Sequence, residues 1–258
     1  MKRLSVFLIC FCLLTGCGIL FAAPEEVSSM SYVCRDGTGA SRWRADTRII
    51  SQSPGVYVMI EKAEGLHSSF KGRVSWVARM EFERTEDSIR PIRLEKRVFD
   101  ERGSLIRIEK QEFDIANNTG TCTHEEPERN ISRTKKFKFS KDVVTRLSLG
   151  LYAQKFLASG KTSQSLQMVS EEPNVYDIEL KLLDKEIIDL NGRKVPAYRL
   201  CIDPYLGLLG FAKIFLPKAY AWHSAAPKYE WLRYAGLEGG INSAKVEVTV
   251  VDNDRKAF

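Results

Sequence analysis

Arg73-Val74-Ser75-Trp76-Val77-Ala78-Arg79-Met80-Glu81-Phe82-Glu83-Arg84-Thr85 is the stretch that decides the fold. Val74, Trp76, Ala78, Met80 and Phe82 share one side of an extended chain, and Arg79, Glu81 and Glu83 share the other. Successive side chains of a strand point to opposite faces, so this alternation predicts a strand with one buried and one solvated face.

The same reading extends in both directions. Towards the N-terminus, Ser31–Arg35 ends at the turn signal Asp36-Gly37. Ser41–Ser51 then sets Trp43, Ala45, Thr47 and Ile49 against Arg42, Arg44, Asp46 and Arg48. Pro54-Gly55 introduces Val56–Lys62, with Val56, Val58 and Ile60 on one side. Towards the C-terminus, Pro91–Asp100 and Ser104–Asp114 flank Glu101-Arg102-Gly103, a hairpin turn. Asn117 to Arg129 reads as a polar loop, and Ile131–Phe139 places Phe137 and Phe139 between lysines.

One segment departs from the period of two. Asp142 suits an N-cap, and Val143, Val144, Leu147, Leu151 and Tyr152 form a stripe. Lys155 sits near the negative end, and Gly160 can stop a helix. Gly150 inside it costs about 1 kcal/mol. Strands resume at Ser165–Ser170, Val175–Leu183, Glu186–Leu190, Val195–Asp203, Ala219–Ser224, Lys228–Tyr234 and Lys245–Val251, with Asn191-Gly192 as a two-residue hairpin turn. The prediction is a mainly β protein: a curved antiparallel sheet or half-open β-barrel with one main helix packed on its concave side.

The N-terminus carries an address. Met1-Lys2-Arg3 is basic, Leu4 to Leu14 is apolar apart from Ser5, and Leu14-Thr15-Gly16-Cys17 follows. The apolar run is too short to span a bilayer and suits a signal peptide. The final four residues resemble a lipobox, which implies cleavage after residue 16, lipidation of Cys17 and anchoring to a membrane. Gly18 at the second mature position resembles lipoproteins sorted to the periplasmic side of the outer membrane. Two other readings stay open. Ordinary secretory cleavage at Ala22-Ala23 would yield a soluble periplasmic protein, although it places Leu20 or Phe21 where a small residue is expected. An uncleaved anchor would use the apolar run as far as Ala23.

On this division residues 1–16 are leader, 17–30 a lipidated N-terminus and tether, and 31–258 a single β-rich domain. The chain holds 39 Lys and Arg against 33 Asp and Glu, a balance of +6. The leader removes Lys2 and Arg3, leaving +4. That mild, interleaved charge gives no case for nucleic acid. Three cysteines follow Cys17, and an oxidising compartment favours a bridge. Cys34 with Cys122 is the expected pair, because Cys122 lies in the polar loop that a tether would steady. Cys201, inside an apolar strand, is expected to be a packed thiol.

Lys185-Glu186-Ile187-Ile188, Asn191 to Leu200 (NGRKVPAYRL), Ala221-Trp222-His223-Ser224 and Leu232-Arg233-Tyr234-Ala235-Gly236 carry a family resemblance. Their order resembles uncharacterised periplasmic domain-of-unknown-function proteins related to the LolA/LolB lipoprotein-carrier fold. The specific part covers residues 185–236. The resemblance implies a half-barrel of eleven or so strands that clasps apolar groups, and it supplies a fold more than an activity.

Residue chemistry points away from catalysis. His67, His124 and His223 are not at metal-ligand spacing and read as exposed or singly hydrogen-bonded. No Gly-x-Ser-x-Gly elbow occurs, and Ser68-Ser69-Phe70-Lys71 lies in a hairpin loop rather than at a helix start. Carboxylates such as Glu81, Glu83, Glu109 and Glu112 are expected on exposed faces opposite Arg and Lys. No catalytic residue, metal or cofactor is therefore assigned.

Residues 133–141 (RTKKFKFSK) read either as an anionic-lipid contact or as a solvated edge strand. Pro204–Pro217 crowds apolar residues without a clean period, as core or as a lid touching lipid. The expected function is a binding module for an acyl chain, lipid or lipoprotein. Trp76, Met80, Phe82, Leu147, Leu151, Leu208, Phe211 and Phe215 would line its cavity. The alternative is a non-enzymatic structural or interaction protein of envelope assembly, with a filled core.

Overall fold

A computed structural model describes residues 25–170, 174–204, 218–239 and 243–251. The leader residues 1–16, Cys17, Leu208, Phe211 and Phe215 lie outside the described residues.

The first eight strands run β1 (Glu26–Asp36), β2 (Ser41–Ser53), β3 (Val56–Leu66), β4 (Arg73–Arg84), β5 (Ile89–Phe99), β6 (Leu105–Asp114), β7 (Thr119–Glu126) and β8 (Ile131–Lys138). A short strand β9 (Val143–Val144) and the helix α1 (Arg146–Ala158) follow. The chain ends with β10 (Ser163–Val169), β11 (Val175–Leu190), β12 (Arg193–Pro204), β13 (Ala219–Ser224), β14 (Trp231–Leu237) and β15 (Lys245–Val251).

All fifteen strands belong to one sheet, in the order β8-β7-β6-β5-β4-β3-β2-β1-β15-β14-β13-β12-β11-β10-β9. This is chain order bent into a ring. Two meanders, β1–β8 and β9–β15, are joined where β1 pairs antiparallel with β15, Ser31 opposite Val251 and Asp36 opposite Val246. The ring is cut between β8 and β9, so the curved sheet stays open there and forms no closed barrel. Every pairing is antiparallel except β9 with β10, which α1 connects as a crossover. The count exceeds the eleven or so strands that the family resemblance implies.

Side chains rather than backbone bridge the cut. Phe113, Cys122, Phe137 and Phe139 pack with Val143 and Val169, and the Gln111 amide donates to the Ser170 carbonyl at 2.8 Å. Exposed residues 132–136 put Arg133, Lys135 and Lys136 along the edge strand β8, where lysines discourage pairing with another chain.

The helix begins later than its sequence suggests. Thr145, not Asp142, is the N-cap: its hydroxyl accepts from the Ser148 amide while the Ser148 hydroxyl accepts from the Thr145 amide. This reciprocal cap outcompetes Asp142, whose carboxylate instead accepts from the Tyr152 hydroxyl at 2.7 Å. Val143 and Val144 leave the predicted stripe to form β9. Gly160 ends the helix in the left-handed conformation, φ +71°. Gly150 is explained by packing, since a Cβ there would stand 3.4 Å from Trp231 Cδ1.

Trp43, Ala45, Thr47 and Ile49 of β2, and Val74, Trp76, Ala78, Met80 and Phe82 of β4, are buried as the alternation predicts. Four expectations need correction. On β3 the alternation that packs inward is Met59, Glu61 and Ala63, although Val58 is also buried. The polar loop around Cys122 is strand β7, and Val175–Leu183 and Glu186–Leu190 are one strand with a register shift between Leu182 and Asp184. Strand β1 also starts at Glu26, inside the expected tether.

Cys34 and Cys122 are not bonded to each other. They are buried thiols on β1 and β7, with five strands between them and in different core clusters. Neighbouring strands are about 4.8 Å apart, whereas a disulfide needs Cα atoms within roughly 7 Å. Cys201 is buried in β12.

Candidate ligand-binding face

The inner face of β2–β5 carries the residues singled out for ligand contact. Ile49, Met59, Met80, Phe82 and Ile89 form one apolar cluster, and Leu147 and Leu151 of α1 pack onto it while half-buried. Met80 and Phe82 are 0% and 2% exposed. The helix start is pinned here, because the Thr145 hydroxyl donates to Met80 Sδ at 3.4 Å. Four of the five described candidates, Met80, Phe82, Leu147 and Leu151, therefore meet.

Trp76 does not join them. It belongs to a second cluster with Cys34, Trp43, Ala45, Ala63, Val74, Val98 and Val246. Its indole N–H donates to Glu61 Oε1 at 2.9 Å, and Arg146 Nη2 donates to the same oxygen at 3.1 Å. Lys96 Nζ stands 5.7 Å from the Trp76 ring centroid. Lys96 is buried opposite buried Glu109 across the β5–β6 ladder. The inner face is therefore apolar under α1 and ionic beside it. Burying charge is tolerated only with partners, which Glu61 has in Trp76 and Arg146.

A second buried carboxylate ties the two meanders together. Glu238 Oε1 accepts from Trp43 Nε1 at 2.7 Å, and Oε2 from Arg42 Nη2 at 3.1 Å and the Ser68 amide at 2.7 Å. The Ser68 hydroxyl also donates to it. Burial alone would raise the Glu238 pKa, but the bonds from Ser68 and Arg42 hold it below the usual range. Ser68 thus donates twice to Glu238, an arrangement that anchors the β3–β4 loop. His67, read from the sequence as exposed or singly hydrogen-bonded, is buried in that loop; its Nδ1 accepts from the Ser69 amide at 3.2 Å and its ring stands edge-on to Trp76 at 5.6 Å.

His223 on β13 is fully buried, and its Nδ1 lies 2.8 Å from the Tyr229 carbonyl. Burial pushes its pKa down to about 4, so the ring is neutral and Nδ1–H donates. Cys34 and Cys122 are pushed up to about 12 and about 11, chiefly by burial, which suppresses the reactive thiolate.

Among the described residues, no group of three or more His, Cys, Asp or Glu could hold a metal ion. Among them too, no helix is long and apolar enough to cross a membrane.

Sequence reasoning missed Glu61, Lys96, Glu109 and Glu238 because it assigned charge to the solvated face. Glu61 had one usable signal: it shares its parity with Met59 and Ala63. Compared with family models, with curated proteins and with solved structures, the chain matches none.

Proposed function

We propose that this protein is a non-enzymatic binding module for an apolar ligand, an acyl chain, a lipid or the lipid of a lipoprotein. The observation that carries the reading is the cover over Ile49, Met59, Met80, Phe82 and Ile89. It includes one 13-residue helix whose contacting leucines, Leu147 and Leu151, stay half-buried. An acyl chain that took their place would gain roughly 25 cal/mol per Å² of apolar surface removed from water, with no need for matched polar partners. Trp76 contributes to the wall beside this surface rather than to the surface itself.

The proposal includes the address: cleavage after residue 16, lipidation of Cys17 and attachment on the periplasmic side of the outer membrane. An anchored protein cannot shuttle across a compartment, so its role would be to receive or hold.

Native mass spectrometry of the protein after gentle extraction tests both parts. The expected masses are those of a chain starting at an acylated Cys17, alone and with bound lipid. A clean apo mass, with no uptake of fatty-acid probes, overturns the ligand reading.

The near-complete burial of Met80 and Phe82 favours one second reading, a structural or interaction protein of envelope assembly with a filled core. The two readings differ in whether an added acyl chain displaces α1. Hydrogen exchange of residues 146–158 should speed up with ligand in the first case and stay unchanged in the second.

A further inference from the structure

The sheet is cut between β8 and β9, and a cleft of about 290 Å³ lies by the link between them. Small-molecule pockets start at roughly 300 Å³. Its walls come from the start of β5, the β6–β7 turn and the four-residue link from β8 to β9.

The floor and the rim differ in chemistry. Ile89, Phe139 and Val143 on the floor are buried. Ile89 also belongs to the Met80–Phe82 cluster, whereas Phe139 and Val143 belong to the cluster that bridges the cut. Ile89 thus touches both the cleft and the apolar cluster under α1.

At the rim stand Arg90 and Lys141, with side chains 48% and 41% exposed. Arg90 faces Glu83 at 3.7 Å and Lys141 faces Asp177 at 3.4 Å. Pairs this exposed contribute little to stability, so a ligand anion can replace the carboxylates at little cost. Asp142 also lines the cleft, its carboxylate accepting from the Tyr152 hydroxyl.

We propose that this cleft takes the phosphate-bearing head group of an amphiphile. The phosphate would lie against Arg90 and Lys141, and the acyl chain would run over Ile89 towards Met80 and Phe82. With a phosphate on Arg90 and Lys141, the carboxylates Glu83 and Asp177 that it displaces and the neighbouring Asp142 suit the ammonium of a zwitterionic head such as phosphoethanolamine. The inference rests on the apolar-ligand reading and adds the head group and the point of entry. The cut in the sheet then has a use: a closed ladder would leave no gap beside the link.

The test uses the full mature chain and two probes with the same fluorescent acyl chain, a lysophosphatidylethanolamine and the matching fatty alcohol. Inorganic phosphate is titrated separately. Arg90 and Lys141 are exposed, so Arg90→Ala/Lys141→Ala should keep the wild-type melting temperature. The lysophospholipid should bind the wild type about tenfold more tightly than the alcohol. The double variant should lose about tenfold for the lysophospholipid and less than about twofold for the alcohol, and Arg90→Lys should restore part of the loss.

A double variant that binds the lysophospholipid like wild type, or loses both probes equally, overturns the cleft assignment and leaves the apolar-ligand reading standing. Inorganic phosphate bound as tightly as the lysophospholipid overturns the amphiphile assignment and marks a plain phosphate site. A wild type that takes up neither probe overturns both.

Discussion

The two meanders solve the same packing problem with different materials. In the C-terminal one, Leu166, Ile178, Leu180, Leu200, Ile202 and Ala221 present a nearly pure aliphatic face, and α1 seals it with Tyr152, Ala153, Phe156 and Leu157. In the N-terminal one, Trp43, Trp76, Met80 and Phe82 share the inside with Glu61, Lys96, Glu109 and Gln111. The same helix reaches that half with the half-buried Leu147 and Leu151 and with two polar contacts, Arg146 to Glu61 and Lys155 to the Glu86 carbonyl. A helix sealed against one half and lightly seated on the other can yield on one side without unfolding the protein. The N-terminal meander and the adjoining cut are thus where a ligand would enter.

That contrast can be broken by substitution. Phe156→Ala should cost roughly 3–5 kcal/mol, because it leaves a cavity in the sealed half. Leu151→Ala should cost less, roughly 2 kcal/mol, the low end for a leucine, since it is only partly buried. Urea unfolding of the two variants makes the comparison, and equal losses would mean that α1 is held equally by both meanders.

Acid sensitivity sharpens the contrast next. His223 has a folded pKa of about 4 against 6.5 unfolded. Between those values the unfolded chain binds more protons, so stability falls as pH drops through that window. The full loss is on the order of 3 kcal/mol. His223→Gln, which can keep the bond to the Tyr229 carbonyl, should flatten the stability profile between pH 4 and 6.5. A variant with an unchanged slope would place the acid sensitivity elsewhere. Glu238 adds a separate loss at lower pH: its folded pKa is depressed, so its contribution disappears as pH falls through that value.

The smallest effect concerns Gly150. Helix propensity favours Ala by about 1 kcal/mol, but the Cβ would press on Trp231. Gly150→Ala should therefore change stability by less than about 0.5 kcal/mol. A full gain in thermal unfolding would show that α1 does not sit tightly on Trp231.

Much of this fold was legible where polarity and burial coincide. β2 and β4 alternate cleanly, and the turns at Asp36-Gly37, Glu101-Arg102-Gly103 and Asn191-Gly192 fall between strands as expected. The reading failed where a tertiary partner overrides polarity. Val56, Val58 and Ile60 look more like an inner face than Met59, Glu61 and Ala63, but Trp76 and Arg146 give Glu61 its place inside.

β7 looked like a loop because the residues on its inner side, Gly120, Cys122 and His124, are small or polar. Gly120 is small because the Phe137 ring lies where a Cβ would be, and the outward Thr121 and Thr123 carry no apolar signal. The disulfide guess fell with that loop. Of the candidate site, the meeting of Met80 and Phe82 with Leu147 and Leu151 was readable from one strand and one stripe. The cleft by the β8–β9 link was not, because it brings together residues 88–90, 115, 118 and 139–143, three separate segments that no local pattern joins.

The central claim is that the inner face of the N-terminal meander accepts an acyl chain. A fatty acid with a nitroxide on its chain tests it directly, because Trp43 and Trp76 line the wall beside that face. Titrated into the full mature protein, it should quench tryptophan fluorescence and saturate near one equivalent, with Phe82→Trp giving deeper quenching. Quenching no stronger than that of free tryptophan in solution would contradict the claim.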